Sequence, residues 1–157
     1  MSYTLVSHGR ALGTTGAELP ASAPGMRSWH FLPGPAFAEA RPLFAALPAA
    51  IEDSQEVIPT QGELEAIPEA SREQWMRELL RSDPRMTRFM ELSAQLEALD
   101  LALVDADGRS LGAQTIGVTV LDLSPEAFRE VLVRVDASAE RSAVLVPPFY
   151  LLVAELA

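Results

Sequence analysis

Hydrophobic residues recur with two different periods along this 157-residue chain, and the change of period narrows the folds open to it. Near both ends, short segments alternate apolar and polar residues, as strands with one buried face do. In the middle, apolar residues return every three or four positions, which is typical of amphipathic helices. The sequence therefore predicts an α+β fold, with an antiparallel sheet built from the two ends and a helical insertion between them.

The first unit, residues 1–51, is predicted to begin with a β-hairpin that turns at Gly9. After a proline-rich loop, residues 26–32 form a third strand. Trp29 lies on one face of that strand and His30 on the other, because successive strand residues point to opposite sides.

A helix follows the third strand, with Pro35 expected as its first residue. Pro42 lies inside this helix and should kink or divide it, because proline removes a backbone donor. Residues 52–70 then carry six acidic residues, no basic residue, and two prolines, Pro59 and Pro68. This composition predicts an acidic, solvated loop.

The helical insertion, residues 71–99, is predicted to contain two helices. The first begins at a capping box, in which the side chains of Ser71 and Gln74 satisfy free amides of the first turn. The second begins with Asp83 as N-cap and Pro84 as first helical residue.

Residues 100–157 are predicted to form a second unit that ends in a C-terminal strand. Its expected segments are strands at 101–104 and 115–121, a helix that begins at Ser124, and an interrupted strand at 143–146 and 149–156.

The two units also share a short sequence pattern. Leu5-Val6 followed by Gly9-Arg10-Ala11-Leu12-Gly13 matches Leu103-Val104 followed by Gly108-Arg109-Ser110-Leu111-Gly112. One interpretation is a pair of pseudo-repeated β-β-(β)-α units. The other is a generic glycine turn, which recurs easily in proteins of bacterial-like, GC-rich composition. The absence of Lys and Asn indicates such a composition here. Under either interpretation the chain, 1–157, is a single domain.

Composition excludes several kinds of chemistry. A chain without Cys forms no disulfide, no thiolate nucleophile and no Cys-based metal site. A chain without Lys forms no Schiff base and has no P-loop lysine. The net charge of -10 argues against binding to nucleic acid, since phosphates are repelled.

The sequence predicts a soluble protein of the cytoplasm with no membrane partner. Its first residues lack the basic and apolar regions of a signal peptide. Its longest apolar stretch, residues 143–154, is interrupted by prolines and is shorter than the roughly 20 residues that cross a bilayer.

Asp105, Asp107 and Gly108 superficially match part of a calcium-binding EF-hand loop. Leu103 and Gln114 would then occupy the first and twelfth positions, where oxygen ligands and a bidentate acid are required. The segment is therefore predicted to be a tight turn and not a calcium site.

The two histidines, His8 and His30, are the other candidates for chemistry. With Glu18 or Asp53 they have the residue types of a two-histidine, one-carboxylate metal site, but their spacing does not support one. We therefore predict no catalytic residues, no metal site and no cofactor, and we expect that the protein is not an enzyme.

The arginines of the helical insertion reverse the local charge, because residues 72–91 hold five of them against four acidic residues. Arg and Trp are enriched at the centres of protein interfaces. The candidate partner-binding residues are Arg72, Trp75, Arg77, Arg81, Arg85 and Arg88. An ordinary solvated helix face is the alternative interpretation.

Three functional hypotheses follow. The first is a small acidic protein that is not an enzyme and binds another protein, basic in overall charge. The second is a small metal- or ligand-dependent enzyme that uses His8 and His30 with nearby carboxylates. The third is a homo-oligomeric structural protein, in which the C-terminal strand, residues 149–156, pairs with its symmetry mate at a sheet edge.

Overall fold

A six-stranded antiparallel sheet and four helices make up the described part of the chain, residues 1–21, 23–111, 115–124 and 150–156, in this computed structural model. The α+β class predicted from the sequence is confirmed. The elements in chain order are β1 (Thr4–Ser7), β2 (Arg10–Leu19), β3 (Met26–Pro33), α1 (Phe37–Val57), α2 (Gln61–Glu65), α3 (Glu69–Ser82), α4 (Pro84–Ala98), β4 (Leu101–Val104), β5 (Thr115–Asp122) and β6 (Tyr150–Leu156).

The strands lie in the order β4-β1-β2-β3-β6-β5, and every neighbouring pair is antiparallel. The sheet is curled, so that its outer strands β4 and β5 come close to each other. The two ends of the chain therefore meet in one sheet, as the sequence predicts, because β1 pairs with β4 and β3 pairs with β6.

The pairing of β1 with β4 bears on the sequence pattern shared by the two units. Leu5 lies directly opposite Leu103, and these are matching positions of that pattern. The sequence predicts a helix from Ser124 onward and a strand over residues 143–146 in the second unit. The predicted strand, and all of the predicted helix after Ser124, lie outside the described residues. The pseudo-repeat therefore stays a prediction.

Aromatic side chains join the sheet to α1. Phe37 packs edge-on against Phe31 at 5.2 Å between ring centroids and stacks with Phe44 at 5.6 Å. Trp29 and Phe31 are fully buried on the face of β3 predicted to be apolar. Burial of large rings supplies much of the hydrophobic stabilisation of a domain this small.

The β1–β2 hairpin is confirmed and turns through two residues, His8 and Gly9. Both have positive φ, 49° and 79°, as a type I′ turn requires. Glycine adopts such angles freely, whereas histidine does so at a cost. The hairpin therefore holds His8 in a conformation that few side chains accept.

The acidic loop predicted over residues 52–70 is not observed. Helix α1 continues to Val57, because its buried face extends through Ala50 to Ser54. Along the same turns, Glu52 and Asp53 are only partly buried and Glu56 is exposed. A short helix, α2, then begins at Gln61, and its N-cap residue Thr60 forms a capping box with Glu63.

Two predicted helix starts also differ from the structure. Helix α3 begins at Glu69 after Pro68 and makes no side-chain cap, so the capping box at Ser71 is wrong. Helix α1 begins at Phe37, two residues after Pro35, and runs through Pro42 as one helix. The start of α4 is confirmed, with the Asp83 side chain accepting the Arg85 N–H and Pro84 as first residue.

The C-terminal strand β6 is paired on both sides, with β3 and with β5. The homo-oligomer hypothesis depends on this strand being a sheet edge, and that condition is not met. Its backbone groups are used inside the sheet, so it offers no edge for a symmetry mate.

Candidate functional site

Helix α3 is apolar along one side without burying any residue. It packs on α4, and its four large apolar side chains are each partly buried, with a minority of their surface still accessible. These residues, which we call the α3 stripe, are Trp75, Met76, Leu79 and Leu80. None of them belongs to the main hydrophobic core. Large apolar side chains that lie outside the core and stay partly accessible along one helix face mark a candidate contact surface.

The structure does not place all the predicted partner-binding residues on one face. Arg72 lies on the side of the α3 stripe, half-buried, and its Nε donates to the carbonyl of Ile67 at 3.0 Å. Arg77 and Arg81 lie on the exposed side of α3. At about 100° per residue, Arg77 is roughly 60° around the helix from Leu80. The stripe therefore has arginines along one flank.

Two of the α3–α4 arginines are already engaged by acidic side chains. Arg77 bonds to Glu73, one helical turn earlier, at 2.6 Å. Arg85 bonds to Asp83 at 3.0 Å and to Glu56 of α1 at 3.4 Å. The pKa of Asp83 is lowered chiefly by the side-chain hydrogen bond from Arg85 and then by the Arg85 backbone N–H.

Arg81 and Arg88 differ from these arginines. Neither has an ion-pair or hydrogen-bond partner among the described residues. They lie on either side of the short connection between α3 and α4 and are exposed. Two exposed guanidinium groups, one on the helix of the stripe and one on the helix packed against it, can contact carboxylates of another molecule.

The two histidines occupy different parts of the sheet. His8 lies in the β1–β2 turn, whereas His30 lies across from Gly16 in the middle of β2. Gly16 lies six residue steps along β2 from Arg10, about 20 Å at 3.3 Å per residue. Metal ligands share an ion at roughly 2 Å, so His8 and His30 do not form the proposed two-histidine site. Within the described residues, no three His, Asp or Glu side chains are placed to hold a metal ion.

His8 instead contacts the C-terminal end of α4. Its Nε2 lies 2.9 Å from the carbonyl oxygen of Ala98, and the neighbouring Ser7 hydroxyl donates to the carbonyl of Leu99 at 2.6 Å. The last carbonyls of a helix have no partner within it. The β1–β2 turn therefore satisfies two of them, and its unusual His8 conformation places the imidazole for this contact.

A groove of about 510 Å³ adjoins the His8 turn. The buried side chains of Leu12 and Ala40 contribute apolar surface to it, and Arg10 and Glu39 contribute charge. The Arg10 guanidinium meets the Glu39 carboxylate through two hydrogen bonds, at 2.8 and 3.1 Å. This pairing lowers the pKa of Glu39, by the hydrogen bond first and by the Arg10 charge second. Nothing local in the sequence links residues 29 positions apart, so sequence reasoning missed this pair.

A second charged cluster joins β2 to β3. Arg27 bonds to both carboxylate oxygens of Glu18 at 2.8 Å and lies 4.8 Å from the ring centroid of Trp29. The hydrogen bond from Arg27 lowers the pKa of Glu18 more than burial raises it. The Trp29 indole nitrogen is buried and has no hydrogen-bond partner among the described residues. It faces the Glu18 carboxylate closely enough to make a small contribution to the lowered pKa of Glu18.

The Asp105 segment forms the predicted turn. One oxygen of Asp105 accepts the backbone N–H groups of Asp107 and Arg109 at 2.9 and 2.8 Å. Gly108 has a φ of 76°, which glycine accommodates without strain. The aspartate is therefore used to hold the turn of its own backbone.

Comparisons with protein families, with curated proteins and with solved structures find no match to this chain. Among the described helices, none combines the length and the apolar character needed to cross a membrane. The candidate sites therefore rest on geometry and charge.

Proposed function

We propose that the protein is not an enzyme and acts by binding another protein through α3 and the start of α4. The observation that supports this proposal is the α3 stripe, in which four large apolar side chains lie outside the main core and keep part of their surface accessible. Removing them from water on association would be favourable, because apolar burial is the main source of binding free energy.

The charges around the stripe define the partner. Arg81 and Arg88 have no acidic partner among the described residues, and both are exposed. The occupant we propose is a segment of another protein with apolar side chains for the stripe and carboxylates for these arginines. The rest of the chain carries the excess negative charge, which attracts a partner that is basic outside this contact and speeds its approach.

The cellular setting belongs to the same proposal. We propose that binding takes place in the cytoplasm, without nucleic acid or membrane as partner, because the chain is strongly acidic. The enzyme hypothesis gains no support from the two histidines, since His8 and His30 are separated along the sheet. A homo-oligomer would need a contact other than an edge at β6.

Site-specific photocrosslinking in the native cell tests the proposal. A photoreactive residue at Leu80 should yield one discrete adduct with another protein. The same residue at Gln95, an exposed position of α4, should yield none.

Charge reversal then tests the arginines. Arg81→Glu should reduce the Leu80 adduct at least tenfold, because it sets like charges against each other. Arg109→Glu makes the same change of net charge in the exposed 105–109 turn and should leave the adduct unchanged. An adduct that is absent, or that is equally strong in both variants, would rule out this surface. An adduct with a second copy of the chain would replace the proposal with a homo-oligomer.

A further inference from the structure

The groove beside the His8 turn has the size and the mixed lining of a small-ligand site. Its volume of about 510 Å³ lies within the range of roughly 300–1,000 Å³ that small-molecule sites occupy. Leu12, Ala40 and Leu99 line it with apolar surface, while Arg10 and Glu39 are its charged residues. Nothing in the α3 stripe overlaps it, so it is separate from the proposed protein contact.

The Arg10–Glu39 ion pair determines what this groove can bind. Both side chains are largely exposed, at 59% and 71%, so solvent screens their attraction and the pair exchanges readily. An anion that bound Arg10 would leave Glu39 without its ion-pair partner, and a cation that bound Glu39 would leave Arg10 without its partner. A ligand with one group of each sign pairs both residues at once.

The surroundings favour the positive group of such a ligand near α4. The C-terminal end of a helix carries partial negative charge, and this end of α4, at Ala98 and Leu99, adjoins the groove. When the His8 Nε2 donates to the Ala98 carbonyl, neutral imidazole keeps Nδ1 as a hydrogen-bond acceptor. Because His8 and Glu39 both line the groove, both offer acceptors to an ammonium group bound in it.

We propose that the groove binds a small α-amino acid with an apolar side chain. Its carboxylate contacts Arg10, its ammonium group contacts Glu39, and its side chain covers the apolar surface of Leu12, Ala40 and Leu99. Free amino acids fit this requirement, whereas a longer peptide does not, because its two charged ends lie far apart.

Titration of the full chain, followed by heteronuclear NMR, tests the proposal with three probes. Leucine should shift the backbone signals of Ser7, His8 and Arg10 and reach saturation. N-acetylleucine lacks the ammonium group and leucinamide lacks the carboxylate, so each should bind at least tenfold more weakly. Absence of saturable leucine binding at millimolar concentration, or equal binding of all three probes, would overturn the proposal.

Variants then assign the contacts. Arg10→Ala and Glu39→Gln should each weaken leucine binding at least tenfold, and the folded state of each is checked by its NMR spectrum. Arg77→Ala and Glu73→Gln change another exposed Arg–Glu pair, on α3 and outside the groove, and should leave leucine binding unchanged. If either groove variant unfolds, His8→Asn is the alternative, since asparagine suits the turn and lacks the imidazole. The proposal would be overturned if leucine still bound with wild-type affinity to the folded groove variants or to His8→Asn.

Discussion

Gly13 shows how closely β2 passes β3 at the level of a single residue. A Cβ atom built at Gly13 would lie 2.5 Å from the carbonyl oxygen of Leu32 and 2.5 Å from Cζ of Phe31. Phe31 is fully buried, so its ring cannot move outward without disturbing the core. The absent side chain is therefore part of the packing.

We expect Gly13→Ala to lower the free energy of unfolding by about 1–3 kcal/mol, the usual cost of overpacking a core. Gly62→Ala is the matched control, because a Cβ at Gly62 meets no heavy atom within 4 Å in helix α2. Alanine there should raise the same free energy by up to about 1 kcal/mol through helix propensity. Urea denaturation of both variants measures these changes, and a neutral Gly13→Ala would contradict the described contact.

His8 shows what local sequence can and cannot reveal about one residue. Its position before Gly9 indicated a turn, and the turn is confirmed. Its type made it a candidate metal ligand that the spacing did not support, and nothing in the sequence indicated that its ring meets the Ala98 carbonyl, 90 positions away. A contact over that separation leaves no periodic or local signal.

Among the elements, β2 and β3 are linked by the Glu18–Arg27 pair as well as by their backbones. Because Arg27 lowers the pKa of Glu18, the ionised carboxylate favours the folded state. This contribution is present above the carboxyl pKa of the unfolded chain, about 4.3, and is lost as the pH falls through the lower folded value.

Arg27→Gln should therefore make the free energy of unfolding less dependent on pH in the acidic range. Between about pH 5 and pH 3, the free energy of unfolding should fall less steeply in the variant than in the wild type. Arg81→Gln is the control, because Arg81 has no acidic partner among the described residues, and it should keep the wild-type slope. Denaturant unfolding across this pH range measures both slopes; equal slopes for Arg27→Gln and the wild type would refute the link.

The long helix α1 shows that composition alone does not predict where a helix ends. Acidic residues and prolines suggested a loop after residue 51, but the buried face of α1 continues to Ser54. The capping box at Thr60 and Glu63 was a readable signal for α2 that composition obscured. Pro42 removes one donor without ending the helix, because Phe37 and Phe44 on either side of it are held in the core.

At the level of the whole molecule, β6 completes the sheet. It lies between β3 and β5, which are otherwise unconnected, and Leu152 and Ala154 on it are fully buried. A strand from the end of the chain therefore forms part of the centre of the fold.

We expect Leu152→Ala to lower the free energy of unfolding by about 2–5 kcal/mol, because it leaves a cavity in the core. Leu151→Ala changes the adjacent residue, which points to the opposite, half-exposed face, and should cost less than about 1.5 kcal/mol. Thermal and urea unfolding distinguish the two. Similar losses would show that β6 does not have one buried face.

The sequence by itself determined the fold class and most of the elements, because hydrophobic period, turn glycines and helix caps act over a few neighbouring residues. It also excluded thiol and lysine chemistry, which depends on composition alone. The tertiary structure alone decided that β6 is interior, that His8 and His30 lie apart, and that Arg10 meets Glu39 beside a groove. Those relations depend on how distant segments pack, and no local pattern encodes the distance between them.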